Sequence, residues 1–167
     1  MTKDIDKCLD SAAKENYGTN YGDHLLEQYK LYVDMADKIS GRRQSANTFF
    51  LAINTALVTL LGVVLPGTNK MLSICWFAVV GGAGLLLCFS WFELLRSYRN
   101  LNSAKFIVIN LIEKRLPIKP FDAEWTCLGK GNNAKLYQPI THIETKVPWI
   151  FSGLYIILIM LAVFGDL

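Results

Sequence analysis

Few residues in this 167-residue chain have the type and spacing that catalysis or metal binding requires. His142-x-Glu144 stands just before the last apolar segment, and His24 is the only other histidine, so a convergent set of metal ligands is missing. The Gly-Lys-Gly run at 129–131 lacks the Ser/Thr and the strand–loop–helix context of a phosphate-binding loop. The four cysteines form no C-x-x-C pair. We therefore expect no catalytic residue, no metal and no cofactor, and we do not expect an enzyme.

A second kind of chemistry is hydrogen bonding inside an apolar environment. A stripe of amides and hydroxyls marks the first long apolar segment and the residue just before it: Asn47, Asn54, Thr55 and Thr59. An unpaired amide in hydrocarbon costs several kcal/mol, so Asn54, the most central of the four, needs a partner. Two interpretations stay open for the stripe: hydrogen bonds to a neighbouring helix, or the polar lining of a pore in an oligomer.

Charged residues form a third group where apolar segments meet polar sequence: Arg42, Arg43, Glu93, Arg96 and Arg99. Glu93 and Arg96 are three residues apart, which predicts an ion pair on one helix face at the membrane surface. The alternative is a ring of Glu93 side chains that binds ions in an oligomer. For Arg42 and Arg43, contact with lipid headgroups and pairing with an acid such as Glu93 or Glu113 are both open.

The elements that position these residues follow from the distribution of apolar sequence. Hydrophobic residues make up 52% of the chain and charged residues 19%, and three segments hold almost no charge: 48–66, 71–92 and 147–165. At about 1.5 Å per residue, a helix of about 20 residues crosses the roughly 30 Å hydrocarbon core of a bilayer. The pattern excludes a soluble globular domain, a secreted disulfide scaffold and a disordered chain. It predicts an all-α membrane protein with three transmembrane helices.

The first two spans continue into polar sequence that keeps helical periodicity. Residues 23–47 form a predicted amphipathic helix that enters the first span without a break, after a loosely ordered start at 1–22. Residues 93–146 form a predicted helix, which runs to about Leu116, followed by a loop region. These two extensions are predicted to pack together as a cytoplasmic helical stalk. Small residues in the second span predict close helix packing: Ala78, Gly81, Gly82 and Gly84.

The distribution of Lys and Arg predicts the orientation in the membrane. Four of these residues lie between 30 and 43, nine lie between 94 and 146, and one, Lys70, lies in the loop between the first two spans. By the positive-inside rule, the N-terminus is cytoplasmic and the C-terminus is outside. Because the cations are spread along the chain rather than clustered, we expect the lipid bilayer as their partner and no nucleic acid.

Several stretches are distinctive in combination. The two long ones are YVDMADKISGRRQSANTFF at 32–50 and WFELLRSYRNLNSAKF at 91–106, and the short ones are EKRLP at 113–117, FDAEW at 121–125, THIE at 141–144 and VPW at 147–149. Together they resemble the RipA-family octameric membrane proteins, which are small bacterial integral membrane proteins, over about residues 24 to 160. The resemblance implies a homo-octamer in the bacterial inner membrane. It brings no catalytic residues.

Two functions from different classes follow as expectations. One is a non-enzymatic homo-oligomeric inner-membrane assembly, octameric by the resemblance, whose polar stripe and glycine patch allow a channel or a pore, including the pore of a defence effector. The alternative is a membrane-anchored scaffold or sensor that binds a partner or ligand through its cytoplasmic stalk. The stalk and the aromatic segment around Trp125 and Tyr137 favour this alternative.

Overall fold

The computed structural model describes residues 8–9, 14–63, 70–132, 137 and 143–164. Helices account for most of these residues, and no strand occurs among them. In chain order the helices are α1 (Lys14–Tyr17), α2 (Tyr21–Val63), α3 (Lys70–Glu113), α4 (Pro120–Cys127) and α5 (Lys146–Phe164), with a 3₁₀ turn at Gly129–Gly131 after α4. Residues 64–69 between the first two spans and half of the expected N-terminal segment, 1–7 and 10–13, lie outside the described residues.

Three of these helices, α2, α3 and α5, are long and apolar enough to cross a membrane. With 43 residues in α2 and 44 in α3, both are longer than a bilayer requires, so each extends well beyond its apolar segment. Gly41 does not end α2, because a single glycine within a helix costs only about 1 kcal/mol. Pro148 lies in the first turn of α5, where its missing N–H is not needed. The predicted all-α membrane fold with three spans is confirmed.

The chain divides into two compact units, and both long helices contribute to each of them. The span unit covers Arg42–Arg99 and Pro139–Leu167 and contains the three apolar segments. The polar unit covers Met1–Gly41 and Asn100–Gln138.

In the span unit, all three long helices contribute to one apolar core. Its buried members are Leu61 from α2, Phe77, Val80 and Cys88 from α3, and Tyr155 and Ala162 from α5. Many other large apolar side chains of the three spanning helices are exposed, as expected for a helix bundle that is surrounded by lipid or by further helices.

The polar unit has a smaller core. Ala36 and Ile39 of α2 are buried, as are Ile109 and two neighbours at the end of α3, Leu111 and Ile112. The ring of Phe106 in α3 meets the ring of Phe121 in α4 edge to face, with centroids 5.5 Å apart. The short helix α4 therefore packs against α3.

Candidate functional site

The central polar group of the span unit is the side chain of Asn54 in α2, which is fully buried. Its Nδ2 donates to the backbone oxygen of Phe50, one turn earlier, at 2.8 Å. Its Oδ1 accepts a hydrogen bond from the Tyr155 hydroxyl of α5 at 3.1 Å and one from the Cys88 thiol of α3 at 3.4 Å. One amide therefore links all three spanning helices, and we call this group the Asn54 node.

Gly84 of α3 makes room for the tyrosine of this node. A Cβ at Gly84 would overlap the Tyr155 ring, so only glycine lets α5 come this close. Gly81 faces α5 in the same way, since a Cβ there would lie 2.8 Å from Cδ1 of Ile159. Of the predicted packing residues, Gly81 and Gly84 thus contact α5, whereas Ala78 is exposed and Gly82 has open space around it.

Asn47 makes a second hydrogen bond between helices. Its Oδ1 accepts from Nε1 of Trp91 in α3 at 2.8 Å. Trp91 is only 1% exposed and stacks on Phe50, with ring centroids 5.8 Å apart and ring planes 7° from parallel. Two interpretations of the polar stripe were open: hydrogen bonds between helices, or the lining of a pore. In the structure, Asn47 and Asn54 make hydrogen bonds between helices of one protomer.

Thr55 and Thr59 lie elsewhere, on the outer surface of α2. Thr55 Oγ1 donates to the backbone oxygen of Leu51 at 2.8 Å, and Thr59 Oγ1 donates to the backbone oxygen of Thr55 at 2.9 Å. Each hydroxyl is therefore satisfied within its own helix. The predicted stripe is split between two faces of α2, because residues at successive positions point in directions about 100° apart.

Arg43 pairs with an acid that the sequence did not indicate. Its Nε lies 3.5 Å from Oε2 of Glu144, and the two side chains are 17% and 16% exposed. Of the acids near Arg43, it is Glu144 that pairs with it, whereas the sequence suggested Glu93 or Glu113. Since Glu144 lies just before α5, this ion pair joins the beginning of that helix to α2.

Glu93 is paired along its own helix, as its spacing predicts. Its Oε1 lies 3.6 Å from Nη1 of Arg96, and both side chains are exposed, by 46% and 64%. Exposed pairs of this kind contribute about 0–1 kcal/mol. Arg42 and Arg99 are exposed as well. The charged residues predicted at the membrane surface therefore lie mainly on the outside of the protomer.

The polar unit contains a second fully buried polar side chain, that of Glu113 at the end of α3. Its Oε1 accepts from the Tyr29 hydroxyl of α2 at 2.8 Å and from the backbone N–H of Phe121 at 3.2 Å, while its Oε2 accepts from the N–H of Asp122 at 3.3 Å. These N–H groups belong to the first turn of α4, where helix donors have no internal partner. This Glu113 node fixes α2, α3 and α4 to one another.

Burial raises the pKa of Tyr29 to about 12 from its ordinary value of 10. The hydrogen bond to Glu113 and the charge of that carboxylate act in the same direction, because both favour the protonated phenol. Tyr29 therefore stays a hydrogen-bond donor at physiological pH. Sequence reasoning missed Tyr29. The sequence did hold a signal for the Glu113 node. Pro120 is a residue type that favours the first turn of a helix, and Glu113 lies seven residues before it, within reach of that helix start.

Lys105 of α3 is also buried in the polar unit, with 8% of its surface exposed. Its Nζ lies 4.4 Å from the centroid of the Tyr32 ring in α2. An ammonium over an aromatic face is attracted by the electrons of the ring. The contact therefore adds a polar link between α2 and α3 in this unit.

Within the part of the chain that the structure describes, no three His, Cys, Asp or Glu side chains come together as a metal site would require. His142 lies outside that part. The cysteines that the structure describes are free, and Cys88 is buried while Cys8, Cys75 and Cys127 are exposed. The groups that do come together, in the Asn54 and Glu113 nodes, join helices by hydrogen bonds.

Three helices of membrane length are linked in their apolar interior by the buried amide of Asn54, and two of them continue into polar helical segments. This arrangement defines a multi-span helical membrane protein. A family model for octameric membrane proteins (8xMP) matches residues 26–164, so the chain belongs to the octameric membrane protein family. The match confirms the family resemblance seen in the sequence. No curated protein and no solved structure matches the chain.

Proposed function

We propose that the chain forms a non-enzymatic homo-octamer in the bacterial inner membrane that anchors its polar unit in the cytoplasm as a scaffold or sensor. Membership of the octameric family supports the membrane setting and the octamer. The Lys and Arg residues before the first span and after the second support a cytoplasmic N-terminus and polar unit, with the C-terminus outside.

The observation that carries this proposal is that the side chains of Asn47 and Asn54 are hydrogen-bonded to other helices of their own protomer. Both side chains accept hydrogen bonds from neighbouring helices, and Asn54 is fully buried. The central polar groups of the spans are thereby occupied, which suits an anchor. Exposed apolar side chains of the polar unit then offer a surface for a partner: Leu31, Leu101, Ile118 and Trp125.

Complementation of a strain that lacks the chain tests the anchor function. The double variant Leu31→Ser, Leu101→Ser removes two side chains that are 58% and 48% exposed and leaves the buried core unchanged. We expect it to keep the mass of the octamer in native mass spectrometry but to fail to restore the phenotype. The matched control exchanges exposed polar residues of the same helices, Gln28→Ser with Ser103→Ala. Full restoration by the double variant would overturn the scaffold function.

A pore is the second candidate, because Thr55 and Thr59 lie on the outer surface of α2. In an octamer this surface faces a neighbouring subunit, the lipid or the central axis. Ion flux through liposomes that carry the purified octamer distinguishes the pore from the anchor. We expect no flux above that of empty liposomes. Flux that Thr55→Leu reduces would favour the pore and would count against a purely anchoring role.

A further inference from the structure

Two outward faces of the span unit share one residue spacing. The α2 face consists of Thr48, Ala52, Thr55, Thr59 and Gly62, and the α3 face consists of Val79, Ala83, Leu86, Ser90 and Glu93. All ten residues are exposed in the protomer. Both faces alternate steps of four and three residues, which is the spacing of the seam between two packed helices.

The α2 face contains no residue larger than threonine. Gly62 has open space around it, and the hydroxyls of Thr55 and Thr59 are bonded within α2. In membranes, small residues let two helix backbones approach closely and mark contacts between helices. The α2 face therefore suits another helix better than it suits lipid.

The third spanning helix, α5, has a surface of the kind that faces lipid. The exposed residues of α5 are large and apolar and include Ile150, Ile156, Ile157, Met160, Leu161 and Phe164. Such side chains cover a helix against acyl chains. The large exposed side chains of α2 in the span unit, Phe49, Leu51 and Leu60, lie beside the α2 face and not on it. The α2 face therefore differs from the α5 surface, which is of the type that meets lipid.

The α3 face supplies the larger side chains that the α2 face lacks. Val79 and Leu86 are each 71% exposed, and the small residues Ala83 and Ser90 follow them. Large side chains on one helix fill the spaces left by small side chains on the other. The two faces are therefore complementary in size.

The two faces also lie at matching depths. Within one protomer, α2 and α3 meet at Asn47–Trp91 and at Asn54–Cys88. Thr48 therefore lies at about the depth of Ser90, and Thr55 lies close to the depth of Leu86. Rotation about an axis along the membrane normal keeps each residue at its own depth. The faces of two copies related by such a rotation come into register.

Charges at the ends of the two faces are complementary as well. Arg42 lies six residues before Thr48 on α2 and is exposed. Glu93 ends the α3 face with 46% of its side chain exposed, and its ion pair with Arg96 spans 3.6 Å. A guanidinium that a neighbouring copy brings to Glu93 adds a second cation to this carboxylate.

We propose that the α2 face of each copy packs against the α3 face of the next copy, and that this contact closes the octamer. A second copy is the occupant because the chain belongs to a family of octameric membrane proteins. A contact between two different faces propagates from subunit to subunit and forms a ring when the rotation between neighbours closes, which for an octamer requires 360°/8 or about 45° per copy. The inference rests on the proposed homo-octamer and assigns its subunit interface.

Disulfide cross-linking in membranes tests the interface. The double variant Thr55→Cys, Leu86→Cys is made in a chain whose exposed Cys8, Cys75 and Cys127 are serine, with the buried Cys88 kept. Oxidation should give a ladder of covalent oligomers up to the octamer, since a disulfide forms when Cα atoms come within about 7 Å. Each single variant should stay monomeric on a denaturing gel. The control pair Thr55→Cys, Ile157→Cys, which uses the exposed surface of α5, should give no ladder.

The failures of the interface and of the octamer are distinguishable. A native mass spectrum with eight copies, together with no ladder from the double variant, overturns the interface and leaves the octamer standing. Labelling of Thr55→Cys by a membrane-impermeant maleimide would then place the α2 face on a water-filled axis. A mass other than that of eight copies overturns the proposed assembly itself.

A charge exchange tests the same interface without cysteines. Arg42→Glu and Glu93→Arg should each lower the fraction of octamer severalfold, and the double variant should restore it. Arg99→Glu, at another exposed arginine of α3, is the control and should leave the fraction unchanged. A double variant that assembles no better than the single variants contradicts the interface at this end.

Discussion

Among the described residues, each of the two units has one completely buried polar side chain, Asn54 or Glu113, and the two side chains are bonded by different donors. In the span unit, the neutral amide of Asn54 accepts from side chains of two other helices, those of Tyr155 and Cys88. In the polar unit, the carboxylate of Glu113 accepts two backbone N–H groups and the Tyr29 hydroxyl. Both groups join three helices, but they use different donors and carry different charge.

The difference follows from the donors that each environment offers. In the middle of a transmembrane helix every backbone N–H is already bonded within the helix, so a buried acceptor must find side-chain donors. A charge in this position is also expensive. At the first turn of α4 the backbone N–H groups have no helical acceptor and the helix dipole favours an anion. An amide therefore suits the span unit, and a carboxylate suits the polar unit.

Removing the carboxylate of the polar unit should have the largest effect. Glu113→Ala leaves one phenol O–H and two N–H groups, all in partly buried contacts, without their acceptor. At about 1 kcal/mol for each, the low end of the range for unsatisfied groups, we expect a loss of about 3 kcal/mol. Thermal unfolding and proteolysis of α4 in the purified protein measure this loss. Glu113→Gln keeps one acceptor oxygen and should lose less. Glu124→Ala, on the exposed surface of α4, is the control, and an equal loss there would show that the node does not hold α4.

Alanine substitutions of three glycines test packing in the span unit. Gly84→Ala should destabilise the bundle by about 1–3 kcal/mol, because its Cβ meets the ring of Tyr155, which a hydrogen bond holds in place. Gly81→Ala should cost less, since it meets the end of the flexible Ile159 side chain. Gly82→Ala, in open space, is the matched control. Thermal stability in detergent measures the series, and equal losses at the three positions would contradict the close approach of α5.

Removing the amide of the span unit should have a smaller effect. Asn54→Leu removes the side-chain acceptor of Tyr155 and Cys88, while the Tyr155 hydroxyl keeps the backbone oxygen of residue 54 at 3.3 Å. Hydrogen bonds between membrane helices contribute about 0.6–2 kcal/mol. A double-mutant cycle with Tyr155→Phe, measured by thermal stability, should give a coupling of this size. Ser97→Ala, at an exposed position of α3 outside the proposed subunit interface, is the control. A coupling of zero would mean that the two residues are neighbours without a stabilising hydrogen bond.

The spans could be predicted from the sequence because the length of a charge-free segment is a local property. Of the predicted segments, residues 48–63, 71–92 and 147–164 lie in α2, α3 and α5, and the remaining residues are outside the described part of the chain. The need of Asn54 for a partner was equally local, since any amide in hydrocarbon must be paired.

The partners themselves could not be predicted in this way. Tyr155 contacts Asn54 because of the side of α5 that faces α2 in the bundle. The local sequence pattern of α5 does not indicate which side that is. The small residues of α3 formed one predicted patch, but Gly81 and Gly84 face α5 while Gly82 faces away from it. The role of Glu113 depends on the reversal of the chain between α3 and α4, which brings the first turn of α4 back to the end of α3.

The smallest expected effect is that of Tyr29→Phe, and it should depend on pH. The variant loses one hydrogen bond to Glu113, at about 1 kcal/mol near neutral pH. Because the pKa of Tyr29 rises from 10 to about 12 on folding, the stabilising contribution of the phenol is complete below pH 10. It falls as the pH rises from 10 toward 12, where the phenol ionises in the unfolded chain but not in the folded protein.

The stability of the native chain should therefore approach that of the Tyr29→Phe variant across this pH window. Thermal midpoints of the two proteins measure the difference, and near-ultraviolet absorbance of tyrosinate follows the ionisation directly. Tyr17→Phe, which removes an exposed hydroxyl that contacts His24, corrects for the general effect of alkali. A difference between the native chain and Tyr29→Phe that stays constant with pH would mean that the phenol ionises alike in both states. The Glu113 node would then be open to water. Only the Asn54 node would remain as a buried polar group, and the comparison of two buried nodes would fail.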